Sequence, residues 1–220
     1  MKRRNFGQYC GLARALELVG ERWALLIIRD LAVRPQRYTD LLEGLPGIPT
    51  NVLSTRLKEL EQAGLVERRV APAPERGVRY VLTPEGSALE PAVHALGRWG
   101  TKHLEEPRPG DVVTPESVTM SLRAGFNPAA ATGLNESWEI HADDMVLHAV
   151  VTDGRLAAGV GPVPGEADLV ITLTAEGLPS SQALLRAARC GLVELKGRRA
   201  LLNTFVNVFT RPVDQNAPHD

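Results

Sequence analysis

The chain has 220 residues, 44% hydrophobic and 23% charged, with a net charge of −1. This is an ordinary globular composition: apolar runs such as Trp23 to Ile28 fall far short of the ~20 residues a membrane helix needs, and the basic start MKRRNFGQYC lacks the apolar stretch of a signal peptide, so a cytoplasmic protein is expected. Cys10 and Cys190 are too few and too far apart for a disulfide scaffold or a zinc framework.

The first helix is expected over Tyr9 to Val19, where Leu12, Ala15, Leu16 and Val19 recur at helical spacing before Gly20. Trp23 to Leu31 is almost wholly apolar and reads as a helix buried on most sides. Arg37 to Gly44 is a short third helix, and Pro46, Gly47 and Pro49 break the chain after it. A fourth helix starts at Thr50, whose hydroxyl is expected to cap it, and runs to about Ala63.

The fourth helix is the informative one. Leu53, Leu57 and Leu60 point one way; Asn51, Thr55, Lys58 and Gln62 point roughly the other, with Ser54 on a flank. Amides, hydroxyls and one cation suit the reading of base edges in a major groove, although an amphipathic surface helix would show a similar division. Strands at Leu65 to Val70 and Val78 to Leu82 follow, joined by the loop APAPERG with Arg76. Helix, break, helix and a basic-tipped hairpin make a winged helix-turn-helix, whose wing lays Arg76 and Arg79 against phosphate or in the minor groove. A further helix is predicted from Pro84 to His103, carrying Leu89, Val93, Leu96 and Trp99.

The stretch from Cys10 to about Trp99 resembles the HxlR-type winged-helix regulators, relatives of the MarR type. The matching residues are Cys10; Leu18-Val19-Gly20-Glu21-Arg22-Trp23; Leu26-Ile27-Ile28-Arg29-Asp30-Leu31; Arg37-Tyr38-Thr39-Asp40-Leu41; Leu53-Ser54-Thr55-Arg56-Leu57 with Leu60; Gly64-Leu65-Val66; and Tyr80-Val81-Leu82-Thr83-Pro84-Glu85-Gly86. The resemblance implies homodimers on palindromic double-stranded operators, paired through the first helix and the helices after the wing. Candidate DNA contacts are Arg37, Thr50, Asn51, Ser54, Thr55, Arg56 and Lys58 from the helical part and Arg76 and Arg79 from the wing. In the same family a cysteine at the place of Cys10 sometimes senses oxidants or electrophiles; an inert thiol at the dimer contact is the alternative.

Residues 1–105 are taken as this DNA-binding and dimerisation domain, and 106–115, rich in proline, as a linker. A second domain is expected over 116–212 and a polar, disordered tail over 213–220. The charge divides with them: 16 Lys+Arg and 12 Asp+Glu through Glu105, against 9 and 14 beyond it, which points to the front alone as the part that meets a polyanion, chance asymmetry being the alternative.

In the second domain, strands are expected at Ser137 to Ala142, Val146 to Thr152, Leu156 to Val160 and Ala167 to Thr174, with a turn at Asp153-Gly154. A helix over Ser180 to Ala188, a strand at Val193 to Lys196 and a helix over Arg198 to Phe209 follow. The pattern predicts an antiparallel sheet with helices on one face, so the chain as a whole is α+β. Asp153-Gly154, Ala167-Asp168 and the run Gly191 to Arg198 give Ser121 to Phe209 a resemblance to the sterol-carrier-protein-like α/β sandwich. That resemblance implies a cavity for an apolar small-molecule effector, lined by Trp138, Leu202, Phe205, Val206 and Phe209. The alternative for each is that it fills the core.

No nucleophile elbow, HExxH, P-loop or GxGxxG occurs, and His94, His103, His141, His148 and His219 form no ligand-spaced set. An enzyme, a metal or a cofactor is therefore not expected. A ligand-responsive repressor is the first functional reading. A small-molecule carrier or sensor acting through protein partners, and a thiol-based redox regulator, stand beside it.

Overall fold

The computed structural model describes residues 5–72, 76–105, 108–173, 187, 190 and 192–209. They divide into two compact units, Met1–Leu96 and Gly97–Asp220.

The first unit opens with α1 (Gly11–Val19) and α2 (Ala24–Val33). Trp23, predicted to start α2, sits before it with a left-handed φ of 79°, and the Arg22 guanidinium lies 5.2 Å from the centre of its ring. Ala24, Ile27, Ile28 and Leu31 are buried, but Leu26 of the same apolar run is exposed, so the helix buries one face and not most sides as predicted. Asp30 is buried too, and its carboxylate takes two hydrogen-bonding nitrogens from the adjacent Arg29, each at 2.7 Å. α3 (Tyr38–Gly44) begins where the Asp40 carboxylate accepts from the Arg37 N–H at 2.8 Å, satisfying one free donor of the first turn.

α4 (Thr50–Gln62) buries Leu53, Leu57 and Leu60. Pro49, not Thr50, is its N-cap residue; Thr50 is already helical and supplies no side-chain cap. The helix ends in a Schellman turn: Gly64 takes φ +73° and the Leu65 N–H reaches back to Leu60 O at 3.0 Å. β1 (Val66–Ala71) and β2 (Gly77–Leu82) pair antiparallel, and Gln36 forms an isolated bridge to Tyr80. Much of the predicted wing loop, residues 73–75, lies outside the described residues.

The single helix predicted from Pro84 to His103 is two: α5 (Pro84–Ser87) and α6 (Glu90–Thr101). Pro91 has no N–H to give the Ser87 carbonyl, so the helical ladder is interrupted there. Gly86 in α5 is held close: a Cβ on it would lie 2.0 Å from Leu65 O.

The second unit contains α7 (Pro115–Gly125), a helix the hydrophobic pattern did not predict. Its start was nonetheless written in the sequence, since Thr114 caps it with Pro115 at the first position, as Thr83 and Pro84 do for α5. Strands β3 (Asn135–Ala142), β4 (Met145–Thr152), β5 (Arg155–Val160), β6 (Leu169–Leu173) and β7 (Val193–Gly197) form one sheet in the order β5-β4-β3-β6-β7, and α8 (Leu201–Phe209) follows. β3 and β6 run parallel, so the sheet is mixed and not antiparallel as predicted. The reason is the connection after β5, which carries the chain past β4 and β3 and brings β6 to the free side of β3 in the same direction. The hairpin turn at Asp153-Gly154 has φ values of 48° and 73°, as an Asp-Gly turn of the primed type requires. The helix predicted over Ser180 to Ala188 falls outside the described residues, apart from Ala187.

One sheet face, with Trp138, Ile140, Leu147, Ala149, Val151, Leu169 and Ile171, packs with Val118 and Leu122 of α7 and Leu201, Phe205, Val208 and Phe209 of α8. On β3, Glu139 accepts from a ring nitrogen of His141 at 2.7 Å and from the Val163 N–H at 2.9 Å. The His141 bond, outweighing partial burial, holds this carboxyl below its ordinary value.

Candidate nucleic-acid interface

The outward residues of α4 are Thr50, Asn51, Ser54, Thr55 and Lys58. Thr50, Asn51 and Lys58 are exposed, and Ser54 and Thr55 half-buried. Their spacing places them on one stripe, because Leu53, Leu57 and Leu60 are drawn into the apolar core of the first unit on the other side. The stripe is anchored by Tyr38 from α3. Its hydroxyl donates to Thr50 O at 2.8 Å and accepts from Ser54 Oγ at 3.2 Å. Thr55 Oγ1 donates to Asn51 O at 2.8 Å.

Arg56 departs from this set. Its guanidinium bonds Glu59 and, at 3.1 Å, Glu21, and its side chain is only 16% exposed. A cation held between two carboxylates inside the unit is not displayed to a polyanion.

Two arginines join the α2–α3 connection to the wing. Arg37 donates from a terminal nitrogen to Arg76 O at 3.1 Å, its guanidinium lying against Gly77, and stays exposed. Arg79 donates to Pro35 O at 3.3 Å. Arg76 is exposed at the described end of the wing. Arg68 pairs with Glu61 and Arg69 with Glu67. Tyr80 is half-buried, and burial, with the nearby Glu61 carboxylate, pushes its phenol above the usual value.

The structure therefore keeps Thr50, Asn51, Ser54, Thr55 and Lys58 together, links Arg37 with Arg76 and sets Arg56 apart between Glu21 and Glu59. Tyr38 was missed as a functional residue. Its place in the Arg37-Tyr38-Thr39 motif was visible, but the partners of its hydroxyl lie 12 and 16 residues away on another helix.

The residues expected to line a cavity lie in the apolar cluster of the second unit. Trp138 and Phe205 are wholly buried, and the Phe205 and Phe209 rings lie 4.7 Å apart. Trp138 packs against both and donates its indole N–H to Leu201 O at 3.2 Å. Leu202 and Val206 are partly buried against the same cluster. Cys10 is exposed immediately before α1, where the N–H groups of Ala13 and Leu12 lower its thiol below the ordinary range.

A short helix and a following helix with a polar outer stripe, closed by a two-stranded wing, define a winged helix-turn-helix protein. The chain belongs to the HxlR-like helix-turn-helix family, whose profile matches residues 18–108. The HTH-type transcriptional regulator YodB of Bacillus subtilis is 40% identical over 102 residues, 46% of this chain and 88% of that protein. An uncharacterized HTH-type transcriptional regulator of Synechocystis sp. is 32% identical over 122 residues, 56% of this chain and 84% of its own. One of Mycobacterium tuberculosis is 44% identical over 155 residues, 70% of this chain and 85% of its own. That last match is longer than the first unit and so extends into the second. The chain is thus a transcriptional regulator of the HxlR type. No helix among the described residues is long and apolar enough to cross a membrane.

Proposed function

We propose that the chain is a repressor that binds a two-fold operator as a homodimer, with α4 of each copy in the major groove and the wing against the backbone. The outward stripe of α4 carries this reading. It presents an amide, hydroxyls and an ammonium group, and none of the exposed large hydrophobic residues lies on it. A surface for docking a protein partner would favour an apolar patch there, so this stripe favours DNA over the carrier alternative. Pairing is supported by α1, which leaves Tyr9, Leu12 and Leu16 exposed around it, and by α6, which buries none of its residues and exposes Leu96 and Trp99. Two such copies read half-sites about one helical turn apart. Titration of a fluorescent operator duplex at several salt concentrations tests the proposal. The expected result is a strong salt dependence together with preference over scrambled DNA. Binding with no sequence preference would refute it.

A thiol-based control of the same regulator is a second reading, favoured by the exposed Cys10 and its lowered thiol. Operator affinity of the wild type and Cys10→Ser, each with and without a mild electrophile such as a quinone, tests it. An equal response in both proteins would dismiss the thiol.

A further inference from the structure

We propose that the hydroxyl groups of Ser54 and Thr55 on α4 are polarised by the fold so that they only accept, and that Tyr38 imposes this on Ser54. The helix then seeks, opposite Ser54 and Thr55, bases that offer an exocyclic amino group: adenine or cytosine. The inference rests on the reading of α4 as the DNA-contacting helix and adds the kind of base edge it selects.

The argument counts protons. A hydroxyl has one proton to give and two lone pairs with which to accept. A carbonyl only accepts, so the single proton of Tyr38 is committed to Thr50 O at 2.8 Å. The contact between Tyr38 and Ser54 at 3.2 Å must then be made with the Ser54 proton. Thr55 is committed in the same way, because its partner is the Asn51 carbonyl at 2.8 Å. Each of the two side chains is left with lone pairs for an incoming ligand.

In the major groove the amino groups of adenine and cytosine are donors, while N7 and O6 of guanine and O4 of thymine are acceptors. Ser54 and Thr55 match the first kind and repel the second. Donation to acceptor edges falls to the Asn51 amide and the Lys58 ammonium group on the same stripe. Phenylalanine in place of Tyr38 would keep the ring, remove the relay and return the Ser54 proton to the groove.

The test begins by selecting duplexes from a randomised pool with the full chain. Ser54→Ala and Thr55→Val then identify the base positions at which each hydroxyl matters. At those positions single adenines are replaced by purine, or single cytosines by 2-pyrimidinone, removing the amino group alone. Single purines are separately replaced by their 7-deaza forms, removing an acceptor. The expected result is about five-fold weaker binding on loss of the amino group, as for one good hydrogen bond, and no effect of the 7-deaza change. Tyr38→Phe should admit guanine or thymine at the Ser54 position while melting like the wild type. The modified duplexes decide the matter with the unaltered chain even if Tyr38→Phe folds poorly. Sensitivity to loss of the acceptor, an unchanged preference in a stable Tyr38→Phe, or no position assigned to either hydroxyl would overturn the proton assignment alone. A pool that yields no preferred sequence would overturn the DNA-binding reading, and this inference with it.

Discussion

Ser137 of β3 and Asp168, the residue just before β6, bind each other through three hydrogen bonds. The Asp168 carboxylate accepts from the Ser137 N–H at 2.9 Å and from its hydroxyl at 2.8 Å, and the Asp168 N–H donates back to Ser137 Oγ at 3.0 Å. Arg198 closes the arrangement: its backbone N–H donates to Asp168 O at 2.8 Å and its guanidinium bonds Glu136 at 2.6 Å. The motifs at Ala167-Asp168 and Gly197-Arg198 thereby hold the parallel strand pair in register.

The Ser137 hydroxyl, followed after burial's opposing effect by the Ser137 N–H and Arg198, keeps the Asp168 carboxyl below its ordinary value. A depressed carboxyl contributes stability above its unfolded pKa, about 3.9, and loses it as pH falls through the lower folded value. Asp168→Ala is expected to destabilise the second unit by ~1–3 kcal/mol at neutral pH. The difference in Tm from the wild type should be constant between pH 6 and 8, narrowing as pH falls below about 4. A difference that widens under acid would contradict this.

Phe205 is enclosed by Trp138, Phe209 and the sheet. Its replacement by alanine leaves a cavity in the centre of the second unit, and a loss of ~3–5 kcal/mol in urea unfolding is expected. A cost below about 1 kcal/mol would mean that the ring lines open space and does not fill a core.

Lys58 and Arg56 are separated by two positions on α4 and should behave differently. Lys58→Ala is expected to weaken binding to every duplex and to reduce the salt slope by about 1. Arg56→Ala should leave that slope unchanged and instead cost ~1–2 kcal/mol of stability in the first unit, because Glu21 and Glu59 lose their common partner. Asn51→Ala, in contrast, should relax base preference by ~1–3 kcal/mol at one position. Competition between operator and scrambled duplexes separates the three.

Leu12 and Leu16 are exposed on α1, and charged replacements there disturb little within one copy. Leu12→Glu combined with Leu16→Glu is expected to give a monomer by light scattering at micromolar concentration, with helicity unchanged. The operator should then be bound more weakly by the loss of paired half-sites. A double variant that remains dimeric would place the contact elsewhere.

Cys10 lies beside N–H groups that stabilise its thiolate. Alkylation by iodoacetamide, followed by mass spectrometry of the Cys10 peptide across pH, should show an inflection below the ordinary thiol range near 8.5. An inflection at or above that range would remove the chemical basis of a sensing role.

Local periodicity was enough to mark Leu53, Leu57 and Leu60 as inward and Asn51, Thr55 and Lys58 as outward, since both follow from the geometry of one helix. It also placed the wing strands and the strands of the second unit, because alternation and turn residues act within a few positions. Tertiary structure alone decided the rest. Arg56 looked like its neighbour Lys58 until Glu21, 35 residues away, was found beside it. The partner of the Ser54 hydroxyl, Tyr38, lies 16 residues away on another helix. β6 was expected in an antiparallel sheet, but strand direction depends on which side of β3 the chain reaches, and no local pattern encodes that path. Trp138, Phe205 and Phe209 were apolar in either reading. That their rings pack together, with centres 4.7 to 6.1 Å apart, depends on residues far apart in sequence and so on the tertiary structure.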